Sequence, residues 1–215
     1  LFNIDQNRIE VIYQNCDPAF RNKITVAEKQ RIRSAYNLPE NYLLNVGTIE
    51  HRKNALLAVQ AMRELDTDIQ LIIIGKDTPY AIKVRDYANK HNLNNRVHFL
   101  KNVSFNDLPG IYQMADLFLF PSEYEGFGIP VVEALSSGVP VIAATGSCLE
   151  EAGGAGSIYI DPKDSSALAA QIKNVLINPE KRQLMIKAGL DHLEQFSDRK
   201  IADQLNNLYQ NIIKC

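Results

Sequence analysis

The stretch that most constrains this chain is 117–135. It reads Leu117-Phe118-Leu119-Phe120, then Pro121-Ser122-Glu123-Tyr124-Glu125-Gly126-Phe127-Gly128, then Ile129-Pro130-Val131-Val132-Glu133-Ala134-Leu135. Four apolar residues without alternation predict a strand covered on both faces, and Pro130 with Glu133 behind it predicts the first turn of a helix. The glycines and Glu125 then lie on the turn between them. N–H groups that open a helix are unpaired and carry partial positive charge, and glycine lets a ligand approach the backbone closely, so this turn suits an anion.

The same strand-then-helix rhythm governs the chain from Pro39 onward. Strands are predicted over 42–46, 70–74, 96–100, 117–120, 139–144 and 157–160. Helices are predicted over 54–65, 80–91, 104–114 and from Pro130, then over 165–177, 179–196 and 197–214, with Asn178 as a cap and Pro179 at the first helical position. A lead-in, 1–38, carries a β-rich run at 8–13, a loop through Asn15-Cys16-Asp17-Pro18 and a polar helix over 25–36. The alternation predicts an α/β fold: a doubly wound parallel sheet of about six strands with helices on both faces. Its Rossmann-like core occupies 39–163 and its C-terminal helices 164–215, and 215 residues suit one such domain.

Composition narrows the partners. A net charge of -2 provides no basic excess to grip nucleic acid. No apolar run is long enough to span a bilayer, and the first five residues do not read as a signal peptide. Cys16, Cys148 and Cys215 are odd in number and lack metal-ligand spacing, which suits a reducing, cytoplasmic compartment. The chain lacks an initiator methionine and is expected to be a piece of something longer.

Ligands of such sheets bind outside the carboxyl ends of the strands. That rule singles out 47–53, 75–77, 101–103, 121–128 and 145–147. In the first loop, Gly47-Thr48-Ile49-Glu50-His51-Arg52-Lys53-Asn54, two adjacent cations stand where a helix begins. The helix dipole disfavours them there by about 0.3 to 1 kcal/mol each unless an anion binds between them and the N–H groups. They read either as a diphosphate clamp or as a solvated surface pair. Glu125 and Glu133 flank the second glycine turn; each alone reads as an ordinary loop or first-turn carboxylate, and together they suit acceptance of hydroxyl hydrogen bonds beside a phosphate. Paired carboxylates also occur in glycosidases, which need no helix-start anion cradle. Asp66-Thr67-Asp68 has the spacing of a metal site on a sugar nucleotide, but it precedes the second strand and belongs at the opposite edge. The four histidines show no metal spacing, and Gly126-Phe127-Gly128 is too short for a dinucleotide fingerprint.

At these residues the sequence resembles the retaining glycosyltransferases of family four, specifically the C-terminal, nucleotide-sugar-binding domain of their GT-B fold. The resemblance rests on Val46-Gly47-Thr48-Ile49-Glu50-His51-Arg52-Lys53-Asn54, on Glu125 and Glu133 eight positions apart, and on Ser136-Ser137-Gly138-Val139-Pro140-Val141-Ile142-Ala143, continuing through Glu150 and Asp161-Pro162. It implies transfer of a hexose, mannose among the candidates, from a GDP- or UDP-sugar to a glycan or lipid-linked acceptor, with retention and without a metal or other cofactor. By position it assigns Arg52, Lys53 and Glu125 to the reacting centre. It assigns Gly47, Thr48, Lys76, Asn102, Val103, Gly126, Phe127, Gly128, Ile129 and Glu133 to the donor. Within that set Glu133 takes the ribose, and the base lies near Lys101, Asn102 and Val103. Thr48 replaces the arginine of many relatives, which leaves two side-chain cations in the clamp. The family's N-terminal acceptor domain has no counterpart here. The resemblance therefore implies a weakly binding, inactive fragment, whose complete form works at the inner face of the cell membrane through the missing half. A flavodoxin-like regulatory module and a nucleotide-sugar epimerase are the competing readings.

Overall fold

The computed structural model describes Asp5 and residues 8–213. Cys215 and Lys214, where the last helix was expected to close, lie outside them. Six strands form one parallel sheet: β1 (Leu43–Val46), β2 (Leu71–Ile74), β3 (Val97–Leu100), β4 (Leu117–Phe120), β5 (Val141–Ala144) and β6 (Ile158–Ile160), in the order β3-β2-β1-β4-β5-β6. The order reverses between β1 and β4, so the switch-point crevice opens beyond Val46 and Phe120.

The unbroken apolar runs are explained by burial on both sides. Successive strand side chains point to opposite faces. Leu44, Ile72, Phe118, Phe120 and Val141 enter one core, while Leu43, Ile73, Leu117, Leu119 and Ile142 enter the other. The first core is covered by α1 (Val26–Tyr36), α4 (Leu108–Gln113), α5 (Ile129–Ser136) and α6 (Leu149–Gly153). The second is covered by α2 (Ala55–Ala61), α3 (Tyr80–Lys90) and α7 (Ser165–Leu176), with Met185 of α8 (Pro179–His192). The final helix, α9 (Asp198–Ile213), has no buried residue. Local signals hold: Thr25 and Glu28 cap α1 reciprocally, and Asn178 accepts from the Lys181 N–H ahead of α8.

Four expectations are corrected. The β-rich run at 8–13 joins no strand; Tyr13 packs its half-buried ring against Phe127 and Phe196, at 5.4 and 5.2 Å, while Ile9 and Val11 stay exposed. Side-chain packing on the helical layer replaces backbone pairing there. The helix expected over 104–114 begins at Leu108, because Pro109 has no N–H to continue a turn begun earlier. The helix expected over 54–65 is α2 followed by a 3-10 turn, Met62–Glu64. Finally, α6 was not anticipated: five residues among glycines and small side chains show no helical period.

Candidate functional site

The loop after β1 is held in place by its neighbour. Ile49 and Asp77 form an isolated parallel bridge, the Ile49 N–H donates to the Lys76 carbonyl (2.9 Å), and the Thr78 hydroxyl donates to the Ile49 carbonyl (2.6 Å). The chain then makes a 3-10 turn, His51–Lys53, and enters α2 through Asn54, whose left-handed backbone (φ 53°) forces the bend. The Asn54 side chain donates to the Pro121 and Pro162 carbonyls at 3.2 and 2.7 Å. Arg52 and Lys53 are thereby aimed at the loop after β4.

That loop meets them. Lys53 Nζ lies 2.6 Å from Glu125 Oε1, and Arg52 Nη1 lies 3.3 Å from Glu125 Oε2. Arg52 also pairs with Glu50 at 2.9 Å and donates to the Tyr124 carbonyl at 2.9 Å. The Glu125 side chain is 8% exposed and that of Lys53 15%, so the pair is shielded from water. The ammonium of Lys53 also faces the ring of Phe120, 5.0 Å from its centroid. Two cations and two carboxylates balance here, with Glu125 between the cations.

Beyond Glu125 the turn opens. Gly128 (φ 112°) starts α5, and a Cβ there would meet Leu149 Cδ2 at 2.7 Å, so only glycine fits. No acceptor within the described residues takes the N–H groups of Gly126, Phe127, Gly128 or Ile129. These four residues, Lys53 and Glu125 line a cavity of about 570 Å³. Lys76, Asn102 and Val103 line a second, of about 540 Å³, at the ends of β2 and β3. Gly47 lies between the two, its carbonyl packed against Gly75, with half-buried Thr48 beside it. Asp66 and Asp68 line a separate cavity at the amino edge, with Tyr42, Gln70 and Asp116. Among the described residues no cluster of His, Cys, Asp or Glu is placed to hold a metal ion, and no helix is long and apolar enough to cross a membrane.

The switch-point crevice thus carries two cations, a shielded carboxylate and open helix-start N–H groups. A profile of the family described as "Glycosyl transferases group 1" matches residues 26–192. The chain belongs to this family. It is 31% identical to the O-antigen chain mannosyltransferase B of Escherichia coli over 215 residues, covering 98% of this chain and 56% of that protein. The sucrose-phosphate synthase of Thermosynechococcus elongatus shares its fold at a TM-score of 0.83 and 26% identity, over 95% of this chain and 53% of that one. HepE of Anabaena, solved in complex with UDP and glucose, superposes with a TM-score of 0.84 at 21% identity, over 94% of this chain and 56% of its own. The chain thus spans a little over half the length of each of these three relatives.

In this group 1 glycosyl transferase chain, several site residues escaped the sequence reading. Ser122 is fully buried, and its hydroxyl lies 2.7 Å from Glu125 Oε1 and 3.0 Å from the Arg52 carbonyl, bridging the two loops. The Ser-x-x-Glu spacing, familiar from capping boxes, was the available signal. The Cys148 thiol donates to the Glu125 carbonyl (3.1 Å); burial, then the Glu125 charge, pushes the thiol up, so it stays a donor. Tyr13 and Glu151 close the cavity wall, hydrogen-bonded to each other at 3.1 Å, and nothing in their local sequence announced this.

Glu133, one helical turn beyond Ile129 on α5, lines neither of these two cavities. It accepts a hydrogen bond from the buried Tyr112 hydroxyl at 2.9 Å. Burial pushes the Glu133 carboxyl above the ordinary glutamate range, with the Tyr112 hydroxyl opposing in part. A value raised in the folded state means that this group's contribution to stability is complete below the unfolded value and is lost as pH rises through the raised one. Glu133→Gln should therefore melt close to the unmodified protein near pH 4 and above it once the pH has passed the raised value. Thermal melts across that range provide the check; a difference that does not widen with pH contradicts the assignment.

Proposed function

We propose that this chain is the donor-binding half of a retaining glycosyltransferase that moves a hexose from a nucleoside diphosphate sugar to a glycan or lipid-linked acceptor. The observation that carries the reading is the convergence of Arg52, Lys53 and Glu125, from loops 72 residues apart, on the β1/β4 crevice. A diphosphate displaces Glu125 from the two cations and takes its place between them and the open N–H groups at the start of α5. The freed carboxylate then accepts from the hydroxyls of the sugar. Breaking the sugar–phosphate bond builds charge on the departing diphosphate, which Lys53, Arg52 and those N–H groups are positioned to offset without a metal. Glu133 takes the ribose hydroxyls. The Escherichia coli relative's mannosyl transfer and the UDP and glucose bound by HepE support the donor class. The acceptor is supplied by a separate half of the whole protein, working at the cytoplasmic face of the membrane.

Thermal-shift and calorimetric titrations against nucleoside diphosphates, nucleotide sugars, flavin mononucleotide and NAD test the reading. The diphosphates and their sugars should bind in the micromolar to millimolar range, and the redox cofactors should not. Family membership already favours this outcome over a flavodoxin-like module. Equal response to all ligands would end the proposal.

A further inference from the structure

The donor reading leaves the nucleobase open, and the inference that follows rests on that reading. Adjacent strands lie about 4.8 Å apart, so the gap beyond β2 and β3 sits about 10 Å from the crevice beyond β1 and β4. That is the reach of a ribose with two phosphates, and it brings the base into the 540 Å³ cavity, where Ile74, Leu100 and Val103 provide apolar surface for a ring. Asp77 and Lys101, also in its lining, provide the polar edge, joined by an ion pair of 2.8 Å.

Asp77 is fixed from behind. Its Oδ1 accepts from Arg85 of α3 at 2.7 Å, and the Arg85 guanidinium is held in turn over the ring of Phe99, 4.5 Å from its centroid. The Arg85 and Lys101 hydrogen bonds hold the Asp77 carboxyl below its ordinary range, so it remains ionised and only accepts. An ionised carboxylate offers about four lone-pair sites. Arg85 and Lys101 take one on each oxygen, leaving one on each for a ligand with two neighbouring donors.

Among the common bases only guanine presents that edge. Its ring N–H and its exocyclic amino group stand side by side, with a carbonyl oxygen next to them for an ammonium group. Uracil has one N–H between two carbonyls, one of which would face the second carboxylate oxygen. Adenine has a ring lone pair beside its amino group and would meet the same repulsion. We infer that the donor is a guanosine diphosphate sugar, with Asp77 accepting from both guanine N–H donors and Lys101 donating to its carbonyl oxygen.

Titration of the chain with GDP, IDP, UDP and ADP tests this without altering the protein. Inosine diphosphate keeps the ring N–H and lacks the amino group, so it should bind between GDP and the other two. The preference for GDP over UDP should be about 10- to 100-fold, the scale of hydrogen bonds to a charged group that is partly open to water. Asp77→Asn should erase the preference, by weakening GDP binding and by relieving the repulsion of the uracil carbonyl; a brace without a base-reading role would leave the GDP to UDP ratio where it was. If Asp77→Asn fails to fold, the order of the four ligands on the unmodified chain still decides. GDP, IDP and UDP binding alike would overturn the inference while leaving the donor site intact. Binding of none of the four would overturn the donor reading and this inference with it.

Discussion

Lys53→Ala should weaken nucleoside diphosphate binding by roughly 10- to 100-fold and destabilise the fold by about 3 kcal/mol. The two losses have different origins. Binding suffers because a charge-assisted contact to the diphosphate disappears. Stability suffers because Glu125, its side chain only 8% exposed, loses its nearer cation, leaving Arg52 at 3.3 Å as the remaining cation beside it. Removing one member of a shielded pair is costly in a way that removing both is not. The double variant Lys53→Met with Glu125→Gln should therefore regain most of the stability and none of the binding. Glu125→Gln alone should bind nucleoside diphosphates at least as tightly as the unmodified chain, since it leaves both cations in place and removes their competitor. Urea melts and calorimetric titrations on the same preparations separate these effects. Full stability in Lys53→Ala would show that the pair is not shielded, and weaker binding in Glu125→Gln would show that the carboxylate is not the diphosphate's competitor.

The second large effect concerns Gly75, where two backbones meet. A Cβ on Gly75 would lie 1.9 Å from the Gly47 carbonyl oxygen and 2.6 Å from its carbon. Both are backbone atoms in loops pinned to each other, with the Gly47 N–H donating to the Ile74 carbonyl at 2.9 Å and the Ile49 N–H to the Lys76 carbonyl at 2.9 Å. No side chain can swing aside to make room. Gly75→Ala should therefore cost more than about 4 kcal/mol and leave little soluble protein. Gly126→Ala is the contrasting variant. A Cβ there meets no heavy atom within 4 Å, so stability should stay within about 0.5 kcal/mol although the residue lines the donor cavity. Soluble yield and denaturant melts decide; comparable losses at the two glycines would contradict the packing described.

Much of this is legible in the amino-acid sequence, for a physical reason. Strands buried on both faces are written as unbroken apolar runs such as Leu71-Ile72-Ile73-Ile74 and Leu117-Phe118-Leu119-Phe120, and two sets of neighbouring residues sort them cleanly into two cores. Once the strands are placed, their carboxyl ends place the loops, and Arg52, Lys53 and Glu125 fall at one edge. What could not be read is how those three pair. Glu125 standing between the cations depends on the bend at Asn54 and on the Ser122 hydroxyl, and neither leaves a periodic trace. The Tyr112 bond to Glu133 joins two helices whose contact is tertiary. Tyr13 failed as a strand residue because its burial comes from Phe127 and Phe196, rings far along the chain that no local window includes.

The reversal of strand order also sets when this site can exist during folding. β1 and β4 are neighbours in the sheet, yet the side-chain amide of Asn45 reaches the Leu119 carbonyl across 74 residues of intervening chain. Parallel pairing over such a separation bears its loop-closure entropy before any contact rewards it, so it is expected to form slowly and late. The first three strands can assemble as a local unit, but the crevice has only one wall until β4 docks. Acquisition of nucleotide affinity during refolding should accordingly trail the recovery of helical signal and report completion of the central pair.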